Sequence, residues 1–259
     1  MTRDYTYKIY ETLLNSIIHS GYQCLPYADF VTHKYAQSSK QFVLRHDVDR
    51  KPENAVKIAE IEKRKGVKGT YYWRVVSESY NETCIKNVVD MGHELGFHYE
   101  DLTLTNGNSD KAIKLFEQNL EKFRKFYPVN TICMHGSPLT KWDNREIWKK
   151  FDYKKYGIIA EPYFDTDFSK IFYVTDTGRH WNKESVSVRD KVNTGFNIPM
   201  ENTEHFIQLL RMKSFPNQMM MNIHPHRWND NFLQWTRELV FQNIKNLIKF
   251  GMVKLKPYQ

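Results

Sequence analysis

The chain has 259 residues, which is enough for one α/β domain with a sizeable hydrophobic core. Its formal net charge is +8, but the basic residues are spread along the chain and no nucleic-acid-binding motif is present, which argues against a nucleic-acid-binding protein. The three cysteines are too few and too far apart for a disulfide framework or a Cys-x-x-Cys zinc site.

Helical and strand-like patterns alternate along the chain. Apolar spacing and capping residues predict helices over 4–20, after Pro52, over 85–92, from a cap at Ser109 to Pro128, over 144–150 and 203–213, and from 233 to a stop at Gly251. Strands are predicted over 42–49, 67–74, 94–98, 131–134, 158–160, 171–174 and 219–223, and the segment 22–41 is interpreted as loop. The alternation predicts a parallel sheet or barrel within a single domain, 1–259, with 1–41 as a helical extension packed on it.

Polar side chains follow most of the predicted strands, and the first case is the clearest. The apolar run 42–44 leads directly into Arg45-His46-Asp47-Val48-Asp49. Asp47 and Asp49 are two residues apart, so in an extended chain they point to the same side. Two such carboxylates repel each other unless a metal or a proton lies between them. Because active sites form at the carboxyl ends of parallel strands, the repeated pattern predicts an active site at one face of the barrel.

Four segments, in order, resemble a known family. They are Leu44-Arg45-His46-Asp47-Val48-Asp49, Gly69-Thr70-Tyr71-Tyr72, Gly92-His93-Glu94-Leu95-Gly96-Phe97-His98 and Asn222-Ile223-His224-Pro225. Together they resemble the polysaccharide deacetylase superfamily (NodB-like, carbohydrate esterase family four), over roughly residues 42 to 228. The branch most similar is found with surface-polysaccharide synthesis and carries R-H-D-V-D, G-H-E-I-G-Y-H-Y-E and D-T-G-R-x-W motifs.

The resemblance implies a distorted (β/α)7 barrel that forms a single catalytic domain. It also implies a divalent metal, most often zinc, and removal of an N-acyl group, acetyl or formyl, from an amino sugar in lipopolysaccharide or capsule biosynthesis. By position in the motifs, Asp47 would be the general base and His224 the general acid. Asp49 and His98 would be metal ligands.

The third metal ligand departs from the family pattern, which is usually His-x-x-x-His. Leu102 stands four residues after His98 and cannot bind a metal. His135 is the first choice for the third ligand, because neutral imidazole is a good zinc ligand at a strand end. Glu100 is the second choice and Asp101 the third.

Further residues are expected to contact the substrate or to orient the catalytic groups. They are Arg45, His46, Glu100, Glu161, Tyr163, Asp176, Arg179, Trp181, His226, Arg227 and Trp228. The arginines after the late strands could bind a phosphate or carboxylate of the substrate, or could form internal ion pairs. The aromatic residues could stack on a sugar ring or fill the core. His93, which follows a glycine, is interpreted as structural.

The expected partner is an N-acylated amino sugar attached to a nucleotide or a lipid. The sequence contains no run long enough to span a membrane and no apolar signal core, so we expect a cytoplasmic protein, with peripheral contact to the inner membrane as an option. Two alternatives stay open. One is a glycosyltransferase with Asp47-Val48-Asp49 as its metal and nucleotide-sugar motif, and the other is a barrel that binds sugar without cleaving it.

Overall fold

The computed structural model describes residues 3–32, 39–136, 140–181, 192 and 195–255, with side chains described up to residue 248. Within these ranges, seven strands form one sheet whose ladders are all parallel. The strands are Gln23–Leu25 (β1), Gln41–Val48 (β2), Thr70–Trp73 (β3), Glu94–Tyr99 (β4), Ile132–Met134 (β5), Phe172–Thr175 (β6) and Gln218–Ile223 (β7). Their order is β5-β4-β3-β2-β7-β6, and β1 pairs with the start of β2.

Helices connect the strands and cover the sheet. The α-helices are Tyr7–His19 (α1), Tyr27–Thr32 (α2), Pro52–Arg64 (α3), Glu82–Asp90 (α4), Asp101–Leu104 (α5), Ser109–Arg124 (α6), Pro162–Asp165 (α7), Thr203–Arg211 (α8) and Phe232–Leu255 (α9). Short 3-10 helices cover Asn144–Lys149, Tyr153–Tyr156, Thr177–Arg179 and Pro225–Arg227. The predicted α/β class is confirmed, and the parallel strands with their surrounding helices form a half-barrel of the (β/α) type.

The sheet separates two apolar layers, and the strand period of two decides which side chain enters which layer. In β2, Phe42, Leu44 and Val48 pack against the helices in the larger layer. Val43 points the other way, into a smaller cluster that also contains Tyr72 and other inward side chains of the sheet. Tyr27 and Phe30 of α2 belong to this inner cluster, so α2 packs against the inner face. Residues 45 and 47 share the inward direction of Val43.

Gly96 shows how tightly the inner face is filled. A Cβ atom at this position would lie 2.4 Å from ring carbons of Tyr72 on the neighbouring strand and 3.2 Å from the carbonyl oxygen of Thr131. Only glycine leaves room for the Tyr72 ring, which explains a glycine in the middle of a buried strand. Gly96 therefore allows β3 and β4 to pack closely at a position two residues before His98.

Four sequence-based predictions about elements are wrong in part. The segment 22–41 contains β1 and α2, although residues 33–38 lie outside the described ranges. Three residues are too few to show the alternation of apolar and polar residues by which a strand is predicted. β1 is recognised as a strand only from its parallel pairing with β2. Of the predicted strand 158–160, Ala160 alone forms a bridge, with Thr131.

The other two errors concern helix ends. Asn108 rather than Ser109 caps α6, since its side chain accepts a hydrogen bond from the backbone NH of Lys111. α9 continues through Gly251 to Leu255. A glycine inside a helix costs only about 1 kcal/mol, so it does not by itself end one. Among the described residues, no helix is both long and apolar enough to cross a membrane.

Candidate active site

Polar residues from four strands of the sheet, β2, β4, β5 and β7, meet at its carboxyl edge. Asp47 lies near the end of β2, and Asp49 is the first residue after that strand. His98 lies near the end of β4. His135 is the first residue after β5, and His224 is the first residue after β7. Parallel strands end at the same edge, so the topology brings together residues that are far apart in sequence.

Asp49, His98 and His135 form a group that fits a metal ion. Nε2 of His98 and Nε2 of His135 each lie 3.6 Å from Oδ1 of Asp49. One ligand atom from each residue lies within 4.8 Å of the others. Oδ1 of Asp49 is buried and has no hydrogen-bond partner among the described residues. A carboxylate oxygen left without a donor and facing two imidazoles matches the N/O ligands that zinc prefers.

The two imidazoles of this group are held from behind. Nδ1 of His98 lies 2.9 Å from the carbonyl oxygen of Cys133, and Nδ1 of His135 lies 2.9 Å from Oε2 of Glu100. Arg74 in turn donates to both oxygens of Glu100, at 2.7 and 2.8 Å. Burial raises the pKa of Glu100, but His135 and Arg74 outweigh it and the pKa lies below its usual value. Such contacts leave Nε2 of each histidine directed at Asp49.

Asp47 lies beside this group and is held by two neighbours. Arg45 donates from Nε to Oδ1 at 3.0 Å and from Nη2 to Oδ2 at 2.7 Å, and Asn222 donates to Oδ2 at 2.9 Å. Arg45 and Asn222 are partners in the β2–β7 register, so both side chains reach the same face. Burial raises the pKa of Asp47, but the charges of Arg45 and His98 outweigh it and the pKa lies well below its usual value. Asp47 is therefore ionised at neutral pH.

A second group of possible ligands contains a residue that the sequence analysis did not select. Asp47, His98 and Cys133 also offer ligand atoms within 4.8 Å of one another. Cys133 pairs with His98 in the β4–β5 register, which places the two side chains on the same face of the sheet and which only the structure shows. Of the two groups, the one with Asp49 fits a cation better, because Asp47 already accepts three hydrogen bonds and Oδ1 of Asp49 accepts none from the residues that the structure describes.

His224, which follows β7, also lies near Asp49. Nε2 of His224 lies 4.0 Å from Oδ2 of Asp49, and Nδ1 lies 2.6 Å from Oδ1 of Asp176. Arg227 donates to Oδ1 of Asp176 at 2.8 Å, and Trp228 donates to Oδ2 at 2.8 Å. Burial raises the pKa of Asp176, but the charges of Arg227 and His224 outweigh it and the pKa is lowered. Asp176 is an ionised, immobile partner for His224.

Comparisons with known proteins give structural neighbours only. No family model matches the chain, and no curated protein matches it. Solved structures that it resembles include the Xyl-CE4 domain of a multidomain xylanase from the hindgut metagenome of Trinervitermes trinervoides, at 15% identity over 81% of this chain and 85% of that one, with a TM-score of 0.42. Others are PdaA of Bacillus subtilis, a family 4 carbohydrate esterase (14%, 90% and 83%, TM-score 0.43), and a CE4 family pseudoenzyme from Bacillus anthracis (16%, 83% and 63%, TM-score 0.43). With TM-scores below 0.5, these likenesses carry no conclusion about activity.

Several residues expected near the substrate lie elsewhere. His46 points to the outer face of the sheet, because it alternates with Asp47 along β2, and its Nε2 lies 2.7 Å from Oε1 of Glu62. Trp181 and Trp228 are buried in the larger apolar layer, between the sheet and the helices, so neither exposes a ring face to a sugar. Asp101, the third choice of ligand, accepts a hydrogen bond from Asn119 on α6 and is in neither candidate metal group.

The arginines after the late strands are used inside the protein. Arg179 donates to the backbone oxygen of Arg227 at 3.0 Å and lies over the ring of Tyr5. Arg227 forms a buried ion pair with Asp176, with Nη1 lying 2.8 Å from Oδ1. His226 is buried, with its Nε2 4.0 Å from Oε1 of Glu238. Burial and the charge of Arg227 hold the pKa of His226 well below its usual value, so this side chain is neutral.

Glu161 and Tyr163 lie on the inner side, near Arg45. Oε1 of Glu161 accepts a hydrogen bond from the backbone NH of Met134 at 3.0 Å, and burial raises its pKa to about 7. The hydroxyl of Tyr163 lies 3.5 Å from Nη2 of Arg45, and its ring is only partly buried. Glu161 therefore supports the backbone, whereas the ring of Tyr163 remains partly exposed. His93 accepts a hydrogen bond from the backbone NH of Gly69, as a structural histidine does.

Proposed function

We propose that the protein is a metal-dependent hydrolase that removes an N-acyl group, acetyl or formyl, from an amino sugar during surface-polysaccharide biosynthesis. The observation that carries this proposal is the unpartnered Oδ1 of Asp49, which faces His98 and His135 at 3.6 Å beside the carboxylate of Asp47. Asp49, His98 and His135 would hold a divalent ion, with zinc preferred for this donor set. A bound ion of this kind acidifies water and polarises a carbonyl group.

Asp47 is suited to accept a proton from the attacking water. Its carboxylate is ionised, and its orientation is fixed by Arg45 and Asn222. A positioned carboxylate in this state acts as a general base. The same contacts make it a weak base, so it would act on a water molecule that is already acidified.

His224 is suited to give a proton to the leaving nitrogen. Asp176 accepts a hydrogen bond from Nδ1 of His224, which leaves Nε2 directed towards Asp49 and the space around it. An ionised carboxylate behind an imidazole fixes the orientation of the ring. Breaking an amide requires this step, because an amine leaves readily only after its nitrogen is protonated. Asp47 and His224 thus supply the base and the acid on two sides of one site.

The substrate would be an N-acylated amino sugar carried by a nucleotide or a lipid. Tyr163 is one candidate to contact it, since its ring is partly exposed at the site, where the guanidinium groups of Arg45 and Arg145 lie 5.3 and 5.4 Å from the ring centroid. An aromatic face beside a polar site is a common surface for a sugar ring.

The glycosyltransferase alternative has less support. An Asp-x-Asp motif needs both carboxylates to be available to a metal and a diphosphate. In this chain, Arg45 and Asn222 occupy the oxygens of Asp47.

The test is release of acetate or formate from N-acetylated and N-formylated amino-sugar oligosaccharides by the zinc-loaded full chain. We expect acid release together with an equal amount of free amine, and a large loss in the Asp47→Asn and His224→Gln variants. Oligosaccharide binding without acid release would overturn the proposal in favour of a sugar-binding barrel. Transfer of a sugar from a nucleotide sugar to an acceptor would favour the glycosyltransferase.

A further inference from the structure

The last helix, α9, is attached to the rest of the protein by its polar side. Glu238 and Gln242 are each only 3% exposed. Glu238 accepts a hydrogen bond from Arg50 at 2.7 Å, and Asn246 donates to the backbone oxygen of Gly178 at 2.8 Å. These contacts fix one face of α9 next to the residues that follow Asp49 and Asp176.

The opposite face of α9 is apolar and exposed. Its members recur at helical spacing and are between 44% and 77% exposed: Leu233, Val240, Phe241, Ile244, Leu247 and Ile248. An amphipathic helix of a globular protein normally buries its apolar stripe and exposes its polar one. α9 does the reverse, and contiguous exposed apolar patches of this kind mark interaction surfaces.

The charges on α9 bear on the kind of partner that its apolar face fits. The sequence of the helix contains four cations, Arg237, Lys245, Lys249 and Lys254, and a single anion, Glu238. Glu238 is buried and neutralised by Arg50, whereas Arg237 and Lys245 are exposed. Among the described side chains of this helix, the exposed charges are therefore all positive, and they lie beside an apolar stripe. A basic amphipathic helix of this composition lies in the interface of a membrane that carries anionic lipids.

A second copy of the chain fits this face less well. A two-fold contact would place the same surface of both copies together. The exposed cations Arg237 and Lys245 would then meet their own equivalents, with no exposed acidic side chain of the described part of α9 to offset them.

We propose that the apolar face of α9 binds an anionic membrane surface and holds the protein there without spanning the bilayer. The inference concerns attachment and is independent of the proposed hydrolysis. It follows from the reversed polarity of the helix together with its uncompensated positive charge.

Sedimentation with lipid vesicles tests this proposal on the full chain. We expect binding to vesicles of phosphatidylcholine and phosphatidylglycerol, and weaker binding to phosphatidylcholine alone or in high salt. The Ile244→Gln and Leu247→Gln variants should each bind roughly tenfold more weakly, because each loses an apolar side chain from the interface.

Met212→Gln is the matched control, since Met212 and Leu247 are both 73% exposed but Met212 lies outside α9. Its binding should equal that of the unchanged protein. All three positions are exposed, so folding should be preserved, as circular dichroism would verify. No sedimentation with anionic vesicles, or an equal loss in Met212→Gln, would overturn the proposal. Dimerisation without vesicle binding, abolished by Leu247→Gln, would overturn it in favour of a second copy.

Discussion

Nδ1 of His224 lies 2.6 Å from Oδ1 of Asp176, and both side chains are buried. Asp176 follows β6 and His224 follows β7, so the pair depends on the parallel pairing of these two strands. Arg227 and Trp228 hold the carboxylate from its other sides. The arrangement fixes which nitrogen of His224 faces the site.

The Asp176→Asn variant should lose activity while it keeps its metal. Without the carboxylate, His224 loses the contact that orients its ring, so kcat should fall by about a hundredfold or more. Asp176 is in neither candidate ligand group, so the metal content measured by elemental analysis should not change. Asp167→Asn is the control, because Asp167 is exposed. Full activity of the Asp176→Asn variant would contradict the proposal that His224, oriented by Asp176, is the general acid.

The Glu100→Gln variant should bind metal more weakly but still bind it. Glu100 contacts Nδ1 of His135 at 2.9 Å, and loss of such a supporting contact typically lowers metal affinity by about 10- to 100-fold. Competition with a chelator would measure the change, with Glu121→Gln on the exposed face of α6 as the control. Complete loss of metal would show that Glu100 is itself a ligand. Unchanged affinity would show that it does not support His135.

Replacement of Arg45 should destabilise the fold strongly. Arg45 and Asp47 are both buried, and Arg45→Met would leave the carboxylate charged and unpaired. We expect the free energy of unfolding in urea to fall by about 3–5 kcal/mol. Arg145→Met, which breaks a partly exposed ion pair with Asp143, should cost less than about 1 kcal/mol. Adding Asp47→Asn to Arg45→Met should recover part of the loss, and equal small effects of both arginine changes would contradict this account.

Asp101 should make stability fall as pH rises towards neutrality. Burial raises the pKa of Asp101 to about 7, from an ordinary value of 3.8. Between these values the folded state keeps a proton that the unfolded state has released. The stabilisation that Asp101 contributes is therefore fully present below about pH 4 and is lost as the pH rises to about 7, by at most about 1.4 kcal/mol per pH unit.

The Asp101→Asn variant tests whether this group makes stability fall as the pH rises. Thermal or urea unfolding measured between pH 4 and 7 should have a smaller slope with pH in the variant, because the asparagine does not titrate. Part of the slope should remain, since burial also raises the pKa of Glu161 to about 7. A slope identical to that of the unchanged protein would contradict the assignment of a proton to Asp101.

The sequence was sufficient to predict which strand ends meet. Asp47, Asp49, His98, His135 and His224 all follow or end predicted strands, and parallel pairing brings such residues to one edge of the sheet. The alternation along β2 also contained the signal that His46 faces away from Asp47, because adjacent residues of a strand point to opposite faces.

Other features depend on tertiary packing and leave no local trace. Asn222, which holds Asp47, is 175 residues away from it in the chain, and only the β2–β7 register shows that the two meet. The same holds for Cys133 opposite His98. The indole of Trp228 donates to Asp176 from within the core, and composition cannot distinguish such a tryptophan from one that binds sugar.

Metal content of the purified protein is the most direct test of the central claim, that Asp49, His98 and His135 form a metal site. Elemental analysis after zinc loading and removal of free metal should give stoichiometric zinc for the unchanged chain and for Cys133→Ser. The Asp49→Ala, His98→Ala and His135→Ala variants should each lose it. Zinc that is retained in Asp49→Ala and lost in Cys133→Ser would place the metal with Asp47, His98 and Cys133 instead, and absence of zinc from the unchanged chain would contradict a metal-dependent hydrolase.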